Sequence, residues 1–317
     1  MFPRSQILLL ATVAASLGVT LFSDGIDPYF LLVIKNVGIN IILAVSLNLV
    51  NGYTGQFSLG HAGFMAVGAY TSAAITLFLG PPLLAAIGMH GVAATAALFL
   101  AALVAGGLIA ALAGLLVGIP SLRLKGDYLA IVTLGFGEII RVIFRNVQSL
   151  GGALGLNGIP PYTNFFWTFT FVALTVYVII SMVHSTYGRG FLAVHDDEVA
   201  AEAMGLNTTR YKVIAFVVGA FFAGIAGGLY GHSQRSIDPQ TFNFVKSIEI
   251  VVMVILGGMG NTVGVILAAV LLTLLPEFLR PIAEYRMMIY SLLLIVLMLT
   301  RPQGLFTWRR AKVQPAA

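Results

Sequence analysis

Long apolar runs, separated by short polar or Gly/Pro-rich breaks, dominate the pattern of this chain. An α-helix needs roughly 20 residues to cross the hydrocarbon core of a bilayer, and most of the runs approach or reach that length. They lie near residues 5–22, 31–50, 59–79, 92–118, 128–145, 165–183, 211–231, 244–258, 262–278 and 285–300. The pattern therefore predicts an all-α polytopic membrane protein with about ten helices.

Three of these runs, 59–79, 244–258 and 262–278, are short or rich in glycine. Such segments can be broken or re-entrant where they are buried in protein or line water. Eight full crossings plus half-helices is therefore the alternative, and we expect about 8–10 transmembrane helices in all. The sequence GGMGNTVG at 257–264 predicts a break between two short helices, with Asn261 at the turn.

Composition supports the same class of protein. Hydrophobic residues make up 59% of the chain and charged residues only 9%, which leaves too little polar surface to coat a soluble globule. No polar region is long enough to fold alone, so residues 1–317 are interpreted as one transmembrane domain. The net charge of +5 is better explained by membrane topology than by nucleic-acid binding. The absence of Cys excludes disulfides and thiolate metal sites.

The ends of the chain bear on topology. The first run follows Arg4 and has the outline of a signal peptide, but no small-x-small cleavage pattern precedes Asp24, so we expect a retained first helix. With ten crossings, both termini share a side with the loops 51–58, 119–127 and 184–210. The basic C-terminal sequence RPQGLFTWRRAK predicts that this side is cytoplasmic.

One charged segment, residues 186–212 (TYGRGFLAVHDDEVAAEAMGLNTTRYK), interrupts the apolar sequence. It cannot sit in lipid, so it must face water between two spanning helices, on the predicted cytoplasmic side. Its charged residues are Arg189, Asp196, Asp197, Glu198, Glu202, Arg210 and Lys212.

A short helix over about 197–205 is predicted within the charged segment. Acidic residues at its start suit the positive end of the helix dipole, and Gly205 is a typical C-terminal stop. Val199, Ala203 and Leu206 are spaced to form one apolar face. This face suggests docking to a protein partner, and the alternative is a solvated helix without one.

A second unusual stretch joins two apolar runs at residues 48–61, where polar side chains alternate with glycines. Exposed backbone amides are costly in lipid, so the stretch must line water or pack inside protein. It is either part of a pathway for a polar solute or a turn with a small-residue packing face, and the residue types leave both open. The candidate pathway residues are Asn48, Asn51, Gly52, Thr54, Gln56, Ser58 and His61.

Enzymatic chemistry has little support in the sequence. Ser58 and His61 are three apart, but GQFSLG is not a nucleophile elbow and no acid lies nearby, so a structural histidine is favoured. There is no H-E-x-x-H, no metal-spaced set of His and acids, and no P-loop. We therefore expect no catalytic residues, no metal and no cofactor in this chain.

Two charged pairs fall within apolar runs, Glu138 with Arg141 and Lys246 with Glu249. An ionisable residue inside a membrane span is a functional candidate by default. The spacing of three residues lets each pair satisfy itself, so a structural ion pair is at least as good an interpretation. No span carries two unpaired acids, which gives a proton-driven transporter little support.

Two segments carry a resemblance to a known family. LNLVNGYTGQFSLGHAGFMAVGAY strongly resembles the N-terminal signature of branched-chain amino acid permeases, and GRGFLAVHDDEVAAEAMGLNTTRYKVIAFVVGAFFAGIAGGLYG resembles the second signature. Within the latter, Glu198, Ala200, Ala201 and Gly205 resemble a divergent E-A-A…G loop of ATP-binding-cassette (ABC) importers. The length and the LGLNGIP loop resemble the M-type permease rather than its shorter H-type mate.

The resemblance implies a type II ABC importer-like permease in the bacterial inner membrane. Such a permease pairs with a second related permease subunit, two cytoplasmic ABC ATPases that hold ATP and Mg²⁺, and a periplasmic substrate-binding protein. It also implies branched-chain amino acids as cargo, whereas related permeases serve urea, short amides or aromatic acids. An ion-coupled secondary transporter and an intramembrane enzyme are the competing classes.

The resemblance also assigns candidate residues for docking on the ATPase, with residues 197–205 as the coupling helix. Val199, Ala203 and Leu206 would supply apolar contact, while acidic and basic neighbours would set orientation. The full candidate set is Arg189, Asp196, Asp197, Glu198, Val199, Ala200, Ala201, Glu202, Ala203, Gly205, Leu206 and Arg210.

Overall fold

The structure is a computed structural model that describes residues 16–18, 20, 25, 27–87, 91–121, 126–280, 285–300 and 304–305. The predicted first helix near 5–22 and the basic C-terminal sequence lie largely outside the described residues.

Helices account for nearly all of the described chain. The α-helices are α1 Pro28–Asn48, α2 His61–Ala74, α3 Gly80–Ile87, α4 Val92–Ser121, α5 Asp127–Asn146, α6 Phe165–Val183, α7 Thr186–Asp196, α8 Glu198–Ala203, α9 Thr208–Gln234, α10 Phe244–Gly257, α11 Thr262–Phe278 and α12 Arg286–Thr300. Short π-helical turns, Leu49–Tyr53 and Ile75–Leu79, extend α1 and α2, and 3₁₀ turns cover Gln148–Leu150, Gly152–Leu154 and Pro239–Phe242. The strands are β1 Leu156–Asn157 and β2 Ser236–Ile237, which pair antiparallel.

The predicted all-α, polytopic membrane fold is confirmed. Within the described residues, five helices are long and apolar enough to cross a membrane, and a sixth, α11, is apolar but shorter. The five spans are Pro28–Tyr53, His61–Leu84, Val92–Ser121, Phe165–Val183 and Thr208–Gln234.

Backbone-to-backbone packing of α2, α4 and α9 forms the centre of the bundle. A Cβ atom at Gly68 would overlap the backbone of Gly224, and one at Gly106 would lie 2.8 Å from the carbonyl oxygen of Gly68. Small residues allow membrane helices to approach this closely, and dispersion attraction between the closely packed atoms then holds the helices together. The glycines of these apolar runs therefore define the core.

Contacts between loops define two ends of the bundle. At one end, Gly55 lies against His195, so the loop after α1 touches the charged segment. At the other end, pairing of β1 with β2 joins the loop after α5 to the end of α9. The grouping of loops 51–58 and 184–210 at one end, which the sequence predicts, is thus present in the fold.

The helices α10 and α11 form a hairpin of short helices. Gly258 and Gly260 adopt φ values of 90° and 77°, a region that favours glycine, and Asn261 caps α11 by accepting from the Gly264 amide at 3.2 Å. The predicted break at 257–264, with Asn261 at the turn, is confirmed. The tip of the hairpin reaches the end of α1, where the Gly260 amide donates to Asn48 Oδ1 at 2.9 Å.

Candidate functional site

The charged segment folds as two helices rather than one. Asp197 is extended between α7 and α8, and its Oδ1 accepts from the amides of Val199 and Ala200 at 2.9 and 3.1 Å. The predicted short helix over about 197–205 is confirmed as α8, which has Asp197 as its N-terminal cap and Gly205 just beyond its end, and α7 precedes it as a further helix. Asp197 interrupts the run because its side chain satisfies the first free amides of the next helix.

The helix α7 was missed because Gly188 and Gly190 lower the helix propensity of TYGRGF. Tertiary packing outweighs that cost here. Phe191 is fully buried and meets Tyr211 edge to face, with ring centroids 6.0 Å apart. Gly190 in turn leaves the room that the Tyr211 ring occupies.

Gly205 ends the second helix, as its position in the sequence predicts. Its φ is 85°, and the Leu206 amide donates back to the Ala201 carbonyl at 3.1 Å. This six-to-one bond is characteristic of a glycine C-terminal cap. The chain then turns directly into α9, where Asn207 Oδ1 accepts from the Arg210 amide at 3.0 Å.

Contacts inside the chain hold one side of α8. Lys212, on α9, is 7% exposed and lies 2.6 Å from the Glu198 carboxylate, and Glu202 Oε1 accepts from Thr208 Oγ1 at 2.7 Å. Ala201 is 5% exposed. These three residues of α8 therefore brace the helix on α9, and Ala201 has almost no surface to offer a partner.

The other side of α8 is an exposed apolar surface made of Val199, Ala200, Ala203 and Met204. Val199 is 68% exposed and Met204 84% exposed. The predicted apolar face of Val199, Ala203 and Leu206 thus needs correction, because Leu206 is half-buried and Met204 takes its place. From the sequence, Met204 is recognisable only as a residue that favours helices. It is exposed because Glu198, Ala201 and Glu202 hold the opposite side of α8 against α9.

The remaining charged candidates lie on α7 and α9, the helices that precede and follow α8 in the chain. Arg189, Asp196 and Arg210 are exposed. Asp196 lies 3.5 Å from Nδ1 of His195, both at the end of α7. Both signs of charge are therefore exposed on the helices next to α8 in the chain.

Residues 48–61 form a compact, internally bonded turn. Asn51 Oδ1 accepts from the Ser58 amide at 3.2 Å, and Thr54 Oγ1 donates to the Val50 carbonyl at 2.7 Å. His61 Nε2 is 2.9 Å from Ser46 Oγ. A Cβ atom at Gly52 would overlap Asn48. These contacts give the turn a packing role within this chain, in which His61 takes part through Ser46. The assignment of these residues to a pathway stays a prediction.

One member of this stretch differs from the others. Gln56 is 4% exposed, yet neither its amide nitrogen nor its amide oxygen has a hydrogen-bond partner within the described chain. It borders a cavity of about 220 Å³ between the 54–57 loop and the charged segment, which Lys212 and Glu198 also line. The candidate pathway stretch and the charged segment therefore meet directly.

No metal-binding site is present in the part of the chain that the structure describes. No group of three or more His, Asp or Glu side chains comes together there in an arrangement that could hold an ion. The expectation of a metal-free chain stays a prediction.

Comparison with known proteins places the chain in a family. Residues 29–299 match the family described as "Branched-chain amino acid transport system / permease component". The chain belongs to this family. The permease is 37% identical over 311 residues to the high-affinity branched-chain amino acid transport system permease protein LivM of Salmonella typhimurium, covering 87% of this chain and 69% of the relative.

Other relatives agree with this assignment. LivM of Escherichia coli K12 is 36% identical over 311 residues, with the same shares of 87% and 69%. LivH of Salmonella typhimurium is 24% identical over 280 residues, covering 83% of this chain and 90% of the relative. The permease is thus more similar to these LivM proteins than to that LivH, as the M-type resemblance predicts. No solved structure matches the permease.

Proposed function

We propose that the permease is a membrane-spanning subunit of an ATP-driven importer for branched-chain amino acids, and that α8 docks on a separate ABC ATPase. The observation that carries this proposal is the exposed apolar surface of α8 beside a braced inner side. An exposed apolar patch on an otherwise anchored, water-facing element is typical of a protein interaction site. ATP and Mg²⁺ would bind the ATPase, so this chain needs no nucleotide motif.

The bracing suggests how movement passes into the membrane. Lys212 ties α8 to the first turns of α9, and α9 is 27 residues long, or roughly 40 Å at 1.5 Å per residue. Because α9 packs on α2 and α4 through glycines, a push on α8 would move these helices as a body. This coupling requires no flexible element between the docking surface and the core.

The complete assembly follows from the family. We propose a second related permease subunit, two cytoplasmic ABC ATPases and a periplasmic substrate-binding protein, with the permease as one multi-pass domain of the bacterial inner membrane. Both termini and the charged segment would be cytoplasmic, and β1–β2 would lie at the periplasmic end. The turn at 48–61 would lie beside the pathway near its cytoplasmic end, where it contacts the hairpin tip and the charged segment.

Reconstitution tests the proposal. Proteoliposomes that contain the permease, its partner permease, the ATPases and the binding protein should accumulate leucine, isoleucine or valine only when ATP is supplied to the ATPase side. Omission of the ATPase is the control. Uptake driven by an ion gradient alone would show that the permease is a secondary transporter and not an importer subunit. Uptake of urea, short amides or aromatic acids instead would reassign the cargo.

A further inference from the structure

A charged cluster at the middle of the membrane is not used by the coupling apparatus described above. Lys246 Nζ, on α10, donates to Glu249 Oε2 at 3.0 Å and to Asn40 Oδ1 at 3.3 Å. Asn40, on α1, in turn donates to Thr273 Oγ1 of α11 at 2.9 Å. The sequence predicts only a self-satisfied pair of Lys246 and Glu249. In the fold, that pair is bonded across α1 and α11 as well.

The depth of the cluster is set by Asn40. This residue is the thirteenth of the 26 in the candidate span Pro28–Tyr53, so it lies halfway along that span. Lys246 and Glu249 belong to the hairpin of short helices that breaks at residues 258–261. In membrane transporters, solute sites lie near the bilayer midplane and are built beside discontinuous helices.

The pair is accessible and has bonding capacity to spare. The side chains of Lys246 and Glu249 are 18% and 33% exposed, whereas Asn40 is 6% exposed. A lysine ammonium carries three N–H donors, of which Asn40 and Glu249 take two. Charged groups at this depth avoid hydrocarbon and face a water-filled cavity or a protein partner. The exposed side of the pair is therefore open, within this chain, to a water-filled pathway or to a partner subunit.

We propose that Lys246 and Glu249, with Asn40 behind them, form a transfer subsite for the charged end of a free amino acid, an inference that rests on the proposed import function. The cargo carries its ammonium and carboxylate one carbon atom apart. An ion pair of opposite charges, joined side by side, matches this arrangement: the carboxylate of the cargo binds the Lys246 ammonium, and its ammonium binds the Glu249 carboxylate. Asn40 keeps Lys246 oriented while the solute is absent.

The ion pair would offset the main cost of moving an amino acid into the membrane, which is the loss of hydration around its two charges. A zwitterion that leaves water loses the hydration of two charges at once, and an ion pair supplies both replacements without a net change of charge. Charge-assisted hydrogen bonds are the stronger kind. The subsite would favour amino acids over urea and short amides, which lack both charges.

The pair Glu138 and Arg141 provides a matched control on the same chain. These side chains are also three residues apart, are joined at 2.5 Å, and are 32% and 30% exposed. They lie on α5, an unbroken helix of 20 residues. Within the described residues, neither is bonded to a second helix. Glu138→Gln should therefore transport like the unmodified permease.

The test measures leucine uptake and ATP hydrolysis in the same proteoliposomes. Lys246→Met and Glu249→Gln should each lower uptake about 10- to 100-fold, the effect expected for the loss of a hydrogen bond to a charged group. Assembly with the ATPase and leucine binding by the binding protein should stay unchanged. Lys246→Arg, which keeps the charge, should retain most of the uptake.

The double variant Lys246→Met/Glu249→Gln separates the subsite from a structural ion pair. Removing both partners of a structural pair is often neutral, so uptake would then recover. A transfer subsite predicts that uptake stays low. Recovery in the double variant, unchanged uptake in both single variants, or an equal loss in Glu138→Gln would each overturn the inference. Absence of ATP-dependent leucine uptake by the unmodified complex would instead refute the proposed function.

Discussion

The exposed apolar surface of α8 leads to a quantitative prediction for the double variant Val199→Ala/Met204→Ala. Complete burial of a valine or methionine side chain is worth about 1.5–3 kcal/mol. Scaled by their exposed fractions of 68% and 84%, the two side chains together contribute about 2–5 kcal/mol on docking. Such an energy corresponds to a change of about 30- to 4,000-fold in Kd.

Alanine keeps the β-carbon, so we expect the lower part of that range, about 30- to 100-fold weaker binding of the ATPase. The assay is a titration of the purified ATPase onto the permease pair in nanodiscs, with binding followed by light interferometry. Neither side chain supports the inner side of α8, so the unfolding temperature of the permease should stay the same.

Leu154 offers a control of similar size at the other end of the bundle. It is 89% exposed, in the 3₁₀ turn Gly152–Leu154, and Leu154→Ala should leave ATPase binding unchanged. Unaltered affinity in the Val199→Ala/Met204→Ala variant would refute the reasoning that α8 docks through its apolar surface. An equal loss of affinity in Leu154→Ala would show that the assay reports nonspecific hydrophobic adsorption instead.

Two further predictions concern the packing that supports this surface. Gly68→Ala should destabilise the permease by about 1–3 kcal/mol through overpacking, which a lower unfolding temperature would show. Gly135→Ala is the control, because its added methyl group meets nothing within 4 Å. Equal unfolding temperatures for the two variants would contradict the close approach of α2 and α9. Lys212→Met should loosen α8 by about 1–3 kcal/mol because it removes the charge-assisted bond between the buried Lys212 ammonium and Glu198. Limited proteolysis at 186–212 should therefore become faster. Adding Glu198→Gln should restore part of the resistance, and no change in Lys212→Met would show that the ion pair does not anchor α8.

Much of the fold could be predicted because the signals are local. Apolar length indicated the spans, and glycine with asparagine indicated the break at 257–264, since both depend on residues adjacent in the chain. The division of the charged segment into α7 and α8 is harder to predict from the sequence. It depends on Phe191 finding Tyr211 and on Lys212 finding Glu198, contacts that outweigh the low helix propensity of two glycines.

The candidate sites show the same limit. Ala201 and Met204 are both plausible surface residues of a short helix, and only the anchoring on α9 decides that the first is buried and the second exposed. Likewise, Lys246 and Glu249 form a visible pair in the sequence, but the link from Lys246 to Asn40 joins residues 206 positions apart. Spacing along one helix carries no information about such a partner.

The glycine contacts at the centre of the bundle have a mechanical consequence. Where Gly68 meets Gly224, main chain lies on main chain, with no side chain that could rotate to another conformer and relieve a displacement. Sliding one helix along the other would bring carbonyl oxygens into collision, so shear is blocked and α2, α4 and α9 form a stiff block. The hairpin α10–α11 meets α1 through hydrogen bonds at Asn40 as well as at its tip, and such bonds can be exchanged. We therefore expect the moving boundary between open and closed pathways to lie along this hairpin rather than within the block.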